Sequence, residues 1–339
     1  MKFYKLQYIK KEKTGTYLLY ALGEILFIII GILSALFINN WYAEKAYHQQ
    51  IDNNIIRVYE EMEGNINACR EAIIEYRMKD SLIYKVIMDS VEGSDYRNNQ
   101  KLSYLILSYI NTNIEEKAFQ NLIEINNSEN CYQEQLINEI KDLYEITDDL
   151  ERDNKTMHEY VYNDVMTSLI ENTSSFGKLS FTQDANEEMI DFFLSSDLYK
   201  SLVSKYSIIG IRNQLRLNQL YYKRAISLYF EIAKQYGLEN IYNENNEIGL
   251  DIFKGQYVGI KSQDIFDIEV IRDSLYLKVD TDYKIKLITI AENQYFMDLD
   301  MGGYFVTFYN DRNNEIQYMS INYLADREIF RKASKVEKL

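Results

Sequence analysis

Apolar residues fill positions 17–38 almost without a break, from Tyr17-Leu-Leu-Tyr-Ala-Leu-Gly23 through Ile25-Leu-Phe-Ile-Ile-Ile-Gly31 to Ile38, and Glu24 is the one charged residue among them. As a helix this stretch is about 33 Å long, enough to cross the hydrocarbon core of a bilayer. It has full spanning length and runs into Asn39-Asn40-Trp41 with no small-x-small cleavage site, so an uncleaved signal anchor is expected rather than a signal peptide. Tyr17 and Tyr20 at one end, and Trp41 and Tyr42 at the other, stand where aromatic rings settle at the two interfaces.

Beyond the span the pattern changes to steps of three and four, with apolar positions at Ile51, Ile55, Val58, Met62, Ile66, Cys69, Ile73 and Tyr76. This spacing predicts a long helix that reaches Ile87, stops at Gly93-Ser94-Asp95 and is open to continuity with the span. Short helices are expected over 101–111 and 115–125. A second stripe runs through Leu136, Ile140, Leu143, Thr147, Leu150, Asn154, Met157, Val161 and Val165 to a loop at 172–177. A third tract starts near Asn186, restarts at Asp197 and carries Leu198, Leu202, Ile209, Leu217, Leu220, Ile226, Phe230 and Ala233 before Gly237 ends it. Such stripes need partners, and the expected solution is an elongated antiparallel helical bundle. A coiled-coil oligomer through the membrane-proximal helix competes with it, weakened by polar residues in the later stripes.

From Gly249 the chain alternates apolar and polar residues in short segments, the pattern of β-strands. Strands are expected over 256–260, 265–271, 274–279, 285–290, 295–299, 304–309, 315–320 and 328–331, enough for a small antiparallel barrel or sandwich with its own core. The fold class is therefore mainly α with a C-terminal all-β domain. The expected division is a basic cytoplasmic tail at 1–16, a transmembrane helix at 17–38, a helical exported domain at 39–242, a hinge at 243–248, a β domain at 249–333 and a tail at 334–339.

Charge sets the orientation. Lys2, Lys5, Lys10, Lys11 and Lys13 against Glu12 give the tail +4, which keeps the N-terminus in the cytoplasm and sends the bulk to the periplasm as a single-pass inner-membrane protein. The whole chain carries -15, so the remainder carries -19 (-15 - 4 = -19), a surface that repels nucleic acid and anionic headgroups. The absence of proline, where average usage gives about 17, leaves long helices unbroken.

Chemistry is sparse. His48 and His158 are the only histidines, and no H-E-x-x-H, G-x-S-x-G, P-loop or C-x-x-C occurs. Ser175-Phe-Gly-Lys178 fits the S-x-x-K of serine acyl enzymes, but the only K-T-G, Lys13-Thr-Gly15, precedes the span, and a polar interhelical loop explains Ser175 and Lys178 better. Asp148, Asp149, Glu151, Asp153, Asp298 and Asp300 lack the calcium-loop spacing and are expected on solvated faces and turns. Cys69 and Cys131 lie where a disulfide is permitted, yet the place of Cys69 on the stripe favours a buried, reduced thiol.

No catalytic, cofactor-binding or metal-ligating residue is expected. The leading expectation is a non-enzymatic interaction, sensing or scaffolding protein with an unidentified periplasmic partner. One alternative is an envelope enzyme with a site between bundle and β domain, using carboxylates or Ser175 with Lys178. Another is a self-assembling component: Glu24, Ile28, Gly31 and Ala35 fall at i, i+4, i+7 and i+11, and Gly31 with Ala35 forms a small-xxx-small pair suited to homo-oligomers through the transmembrane helix.

The stretch Tyr20-Ala-Leu-Gly-Glu-Ile25, followed by Gly31-Ile-Leu-Ser-Ala-Leu-Phe-Ile-Asn-Asn-Trp41, resembles a family of single-span bacterial membrane proteins found mostly in the Bacteroidota, and Ala118-Phe-Gln-Asn-Leu-Ile123 resembles a helix of that family. The resemblance implies topology and carries no reaction. The part from Leu250-Asp-Ile-Phe-Lys-Gly-Gln-Tyr257 through Ser274-Leu-Tyr-Leu277 to the closing hairpin resembles the small accessory β domain of serine β-lactamase-like proteins. Their catalytic domain has no counterpart here, so the resemblance implies a module without activity.

Overall fold

The computed structural model describes residues 3–126, 132–239, 249–281, 283–299, 304–310, 315–323 and 326–333, with side chains from Leu18 onward. Helix α1, Phe3–Ile87, is one helix of 85 residues, about 130 Å long, so the apolar section and the first stripe are a single rod. Over 18–46 its side chains are exposed or nearly so. From Ile51 the stripe Ile51, Ile55, Val58, Met62, Ile66, Cys69, Ile73 and Tyr76 is fully buried within the chain's own core, so this face is not free for a coiled coil between copies.

Around that stripe pack α2 (Gly93–Asn98), α3 (Gln100–Ser103), α4 (Lys117–Ile125), α5 (Glu134–Glu159), α6 (Met166–Asn172), α7 (Phe176–Thr182), α8 (Glu187–Ser195), α9 (Asp197–Tyr206) and α10 (Asn213–Tyr236). Single π-helical stretches, Tyr160–Val165 and Ser207–Arg212, join α5 to α6 and α9 to α10. Gly237 ends α10 at φ 65°, a left-handed conformation that glycine adopts without a Cβ penalty.

Three expectations shift. The helix expected over 101–111 ends at Ser103, and 108–116 has no regular secondary structure. Side chains of neighbouring helices take over the backbone bonding there: Tyr76 donates to Ile110 O (2.9 Å), Lys79 to Ser108 O (2.6 Å), Asn154 to Thr112 O (3.0 Å) and Asn65 to Glu115 O (2.9 Å). The loop at 172–177 is shorter, because buried Phe176 already opens α7. The third stripe holds at Leu202, Leu217 and Ala233 but not at its start, where Leu198 is exposed while Tyr199, Val203 and Tyr206 face the core. Tyr206 can do so because its hydroxyl donates to Ser108 O (2.7 Å). The hinge expected at 243–248 lies outside the described residues.

The C-terminal strands are β1 (Gly255–Gly259), β2 (Ile265–Ile271), β3 (Ser274–Lys278), β4 (Lys284–Ala291), β5 (Gln294–Met297), β6 (Tyr304–Asn310), β7 (Ile316–Tyr323) and β8 (Asp326–Lys332). Each pairs antiparallel with the next, and β8 closes on β1 with Val258 opposite Arg331, so the domain is a closed barrel rather than a sandwich. Alternation sorts the faces: Tyr257, Leu277, Leu287, Val306, Phe308, Met319 and Phe330 fill the interior. Ile290, Phe296 and Phe305 point out of the barrel into the helical core, so the two units share apolar surface.

Candidate functional site

Glu24, Ile28, Gly31 and Ala35 form one exposed line along α1. A Cβ added to Gly31 meets nothing within 4 Å, which leaves the line open to close approach by another helix. Tyr20, Trp41 and Tyr42 are likewise exposed, with Trp41 and Tyr42 in edge contact at 5.0 Å, while the side chain of Tyr17 lies outside the described residues.

Because α1 is unbroken, helical phase carries this line into the folded domain. Thirty-six residues make about ten turns. Ten turns beyond Glu24, Ile28, Gly31 and Ala35 lie Glu60, Gly64, Asn67 and Glu71, which are exposed except for half-buried Asn67. The buried positions Ile55, Met62, Ile66 and Ile73 occupy the opposite side of the helix. The body of the domain therefore stands on the far side of α1 from the Glu24 line.

The other sequence candidates go to separate places. Ser175 is buried, donates to the Glu188 carboxylate and accepts from Asn186 Nδ2 (2.8 Å), tying the start of α7 to α8, whereas Lys178 is exposed. His48 stacks on Tyr132 at 3.8 Å, and Tyr132 and Tyr236 both donate to Asp52 (2.8 and 2.6 Å). His158 Nδ1 lies 3.0 Å from the Tyr109 hydroxyl on the surface. Asp149 pairs with Arg152 and Asp298 with Lys223, while Asp300 lies outside the described residues. Among the described residues no group of three or more His, Cys, Asp and Glu side chains is placed to hold a metal. Cys69 is free and fully buried, and burial raises its thiol far above the range in which it ionises; Cys131 lies outside the described residues.

Side chains of the two units meet at the junction of barrel and bundle. Tyr222 donates to Thr289 O (3.0 Å) and packs edge-on against Phe296, and Arg77 donates to Gln294 Oε1 (3.0 Å) and Thr307 Oγ1 (2.7 Å) while lying 4.6 Å over the Phe305 ring.

Lys79 and Asp80, adjacent on α1, are both buried, which the apolar periodicity did not reveal because it counts only apolar positions. Burial lowers the Lys79 ammonium to about 8, although its nitrogen reaches Leu105 O, Ser108 O, Ser108 Oγ and the Tyr206 hydroxyl. Burial raises the Asp80 carboxyl to about 7, and the charge of Arg212 opposes that rise.

Comparison of the chain with known protein families, with curated proteins and with solved structures finds no match.

Proposed function

We propose that the chain is a membrane-anchored, non-enzymatic interaction and scaffolding protein of the bacterial inner membrane, with its N-terminus in the cytoplasm and its helical domain and barrel in the periplasm. It self-associates through Glu24, Ile28, Gly31 and Ala35 and presents the exported domain to a periplasmic protein. The observation that carries this reading is the phase of α1: the helix side bearing the small residues is the side left uncovered in the domain, and the bulk lies opposite. Two parallel copies related by a twofold axis can then bring their spans together with both domains outward and no collision between them. The +4 tail supports the orientation, and the apolar section, which none of the described residues covers, supports insertion.

Outside the bilayer the same side carries Arg57, Glu60 and Glu71, a polar stripe that does not favour a zipper. The contact is therefore confined to the span and its flanks. Amine crosslinking in isolated membranes tests this: the dimer band of the native chain is lost in Gly31→Leu, whose side chain blocks close approach. A crosslinking ladder unchanged by Gly31→Leu rules that face out.

A further inference from the structure

On the outer face of the barrel two arginines lean onto one strand. Thr307 and Tyr309 are successive outward positions of β6; Arg77 from α1 donates to the first (2.7 Å), and Arg327 from β8 donates to the hydroxyl of the second (2.9 Å). Tyr309 also lies 3.2 Å from Ser320 Oγ, and the Arg327 guanidinium stands 5.5 Å from its ring. Among the described residues every hydrogen-bond acceptor of these arginines is neutral: Gln294 and Thr307 for Arg77, Tyr309 for Arg327. Among the described residues neither forms an ion pair, in a chain of net charge -15.

A guanidinium has five N–H donors in a fixed fork. Arg77 uses two and Arg327 one, so most of the pair's donors have no acceptor among the described residues. The two like charges also feel one another, since Arg327 adds to the lowering of the Arg77 pKa that burial begins. An oxyanion placed between them relieves that repulsion and accepts forked hydrogen bonds from both sides.

We propose that Arg77 and Arg327 form a binding site for a small soluble oxyanion, a phosphoryl or carboxylate group, that bridges the helical unit and the barrel. Arg77 lies 36 residues beyond Trp41, about 54 Å along α1, so lipid headgroups are out of reach and the anion comes from solution. Its consequence is a ligand-dependent clamp at the junction where Phe296 and Phe305 already pack.

The test uses the full chain in zwitterionic lipid nanodiscs, with inorganic phosphate and acetate as probes and thermal unfolding as readout at matched ionic strength. Phosphate stabilises folded proteins in general by exclusion from their surfaces, so the quantity read is the difference between native and Arg327→Ala. Arg327 is exposed, so its removal leaves the fold intact. The expected result is a rise in melting temperature with phosphate that falls by half or more in Arg327→Ala. A rise with acetate as well assigns a carboxylate-sized anion; a rise with phosphate alone assigns a phosphoryl group. An equal rise in native and Arg327→Ala, or none with either anion beyond chloride, overturns the site.

Discussion

Asp80 shows how a single residue ties the domain's stability to pH. It is 4% exposed on a helix face that packs into the core, and burial lifts its carboxyl from 3.8 to about 7. A carboxyl raised in the folded state holds its proton where the unfolded chain has released it, so stability falls as pH climbs from the unfolded value to about 7. Lys79 works elsewhere: its depressed ammonium stays charged up to about pH 8, so below that its contribution is constant. Chemical denaturation of native protein and Asp80→Asn at pH 5 and pH 8 separates the two. The native chain loses roughly 2–3 kcal/mol relative to the variant between these pH values, and an equal difference at both pH values removes the assigned role. Neither residue was legible as buried in the sequence, because a charged pair inside an amphipathic helix reads as solvated until tertiary packing covers it.

At the scale of elements, period alone located most of the architecture. The stripe from Ile51 to Tyr76 and the alternation after Gly249 depend only on which side of a helix or strand faces a core, and both appear in the fold at those positions. What escaped is where side chains replace regular backbone pairing. The irregular segment at 108–116 is held by Asn65, Tyr76, Lys79 and Asn154, drawn from distant parts of the chain, and no local pattern encodes that. Closure of the barrel rather than a sandwich likewise rests on the long-range pairing of β1 with β8. At the start of the third tract an apolar count takes exposed Leu198 and passes over Tyr199 and Tyr206, which lie in the core. The junction of elements carries its own test. Phe305 belongs to a barrel strand but sits in the helical core, so Phe305→Ala is expected to cost roughly 3–5 kcal/mol and to lower the unfolding of both units together. Hydrogen exchange that loosens only the barrel strands, leaving α1 and α10 protected as before, argues against the shared core.

For the whole molecule, α1 is the organising element. Its apolar section is exposed from Leu18 onward, its stripe from Ile51 to Tyr76 lies buried at the centre of the helical domain, and near its end Arg77 reaches the barrel. The line Glu24, Ile28, Gly31, Ala35 was visible in the sequence as a spacing; its relation to the domain was not, because that depends on the helix continuing without a kink between Ile38 and Ile51. With continuity in hand, the side on which a second copy can approach is fixed by phase. The most direct measurement is a pair of single-cysteine variants in a Cys69→Ala, Cys131→Ala background, joined in native membranes by a short bismaleimide. Ala46 lies 18 residues, about five turns, beyond Ile28 and shares its side, while Glu44 lies on the opposite side. Ala46→Cys is predicted to give a crosslinked dimer that Gly31→Leu abolishes, with Glu44→Cys giving none. Crosslinking from Glu44→Cys but not from Ala46→Cys contradicts a dimer that holds its two domains outward.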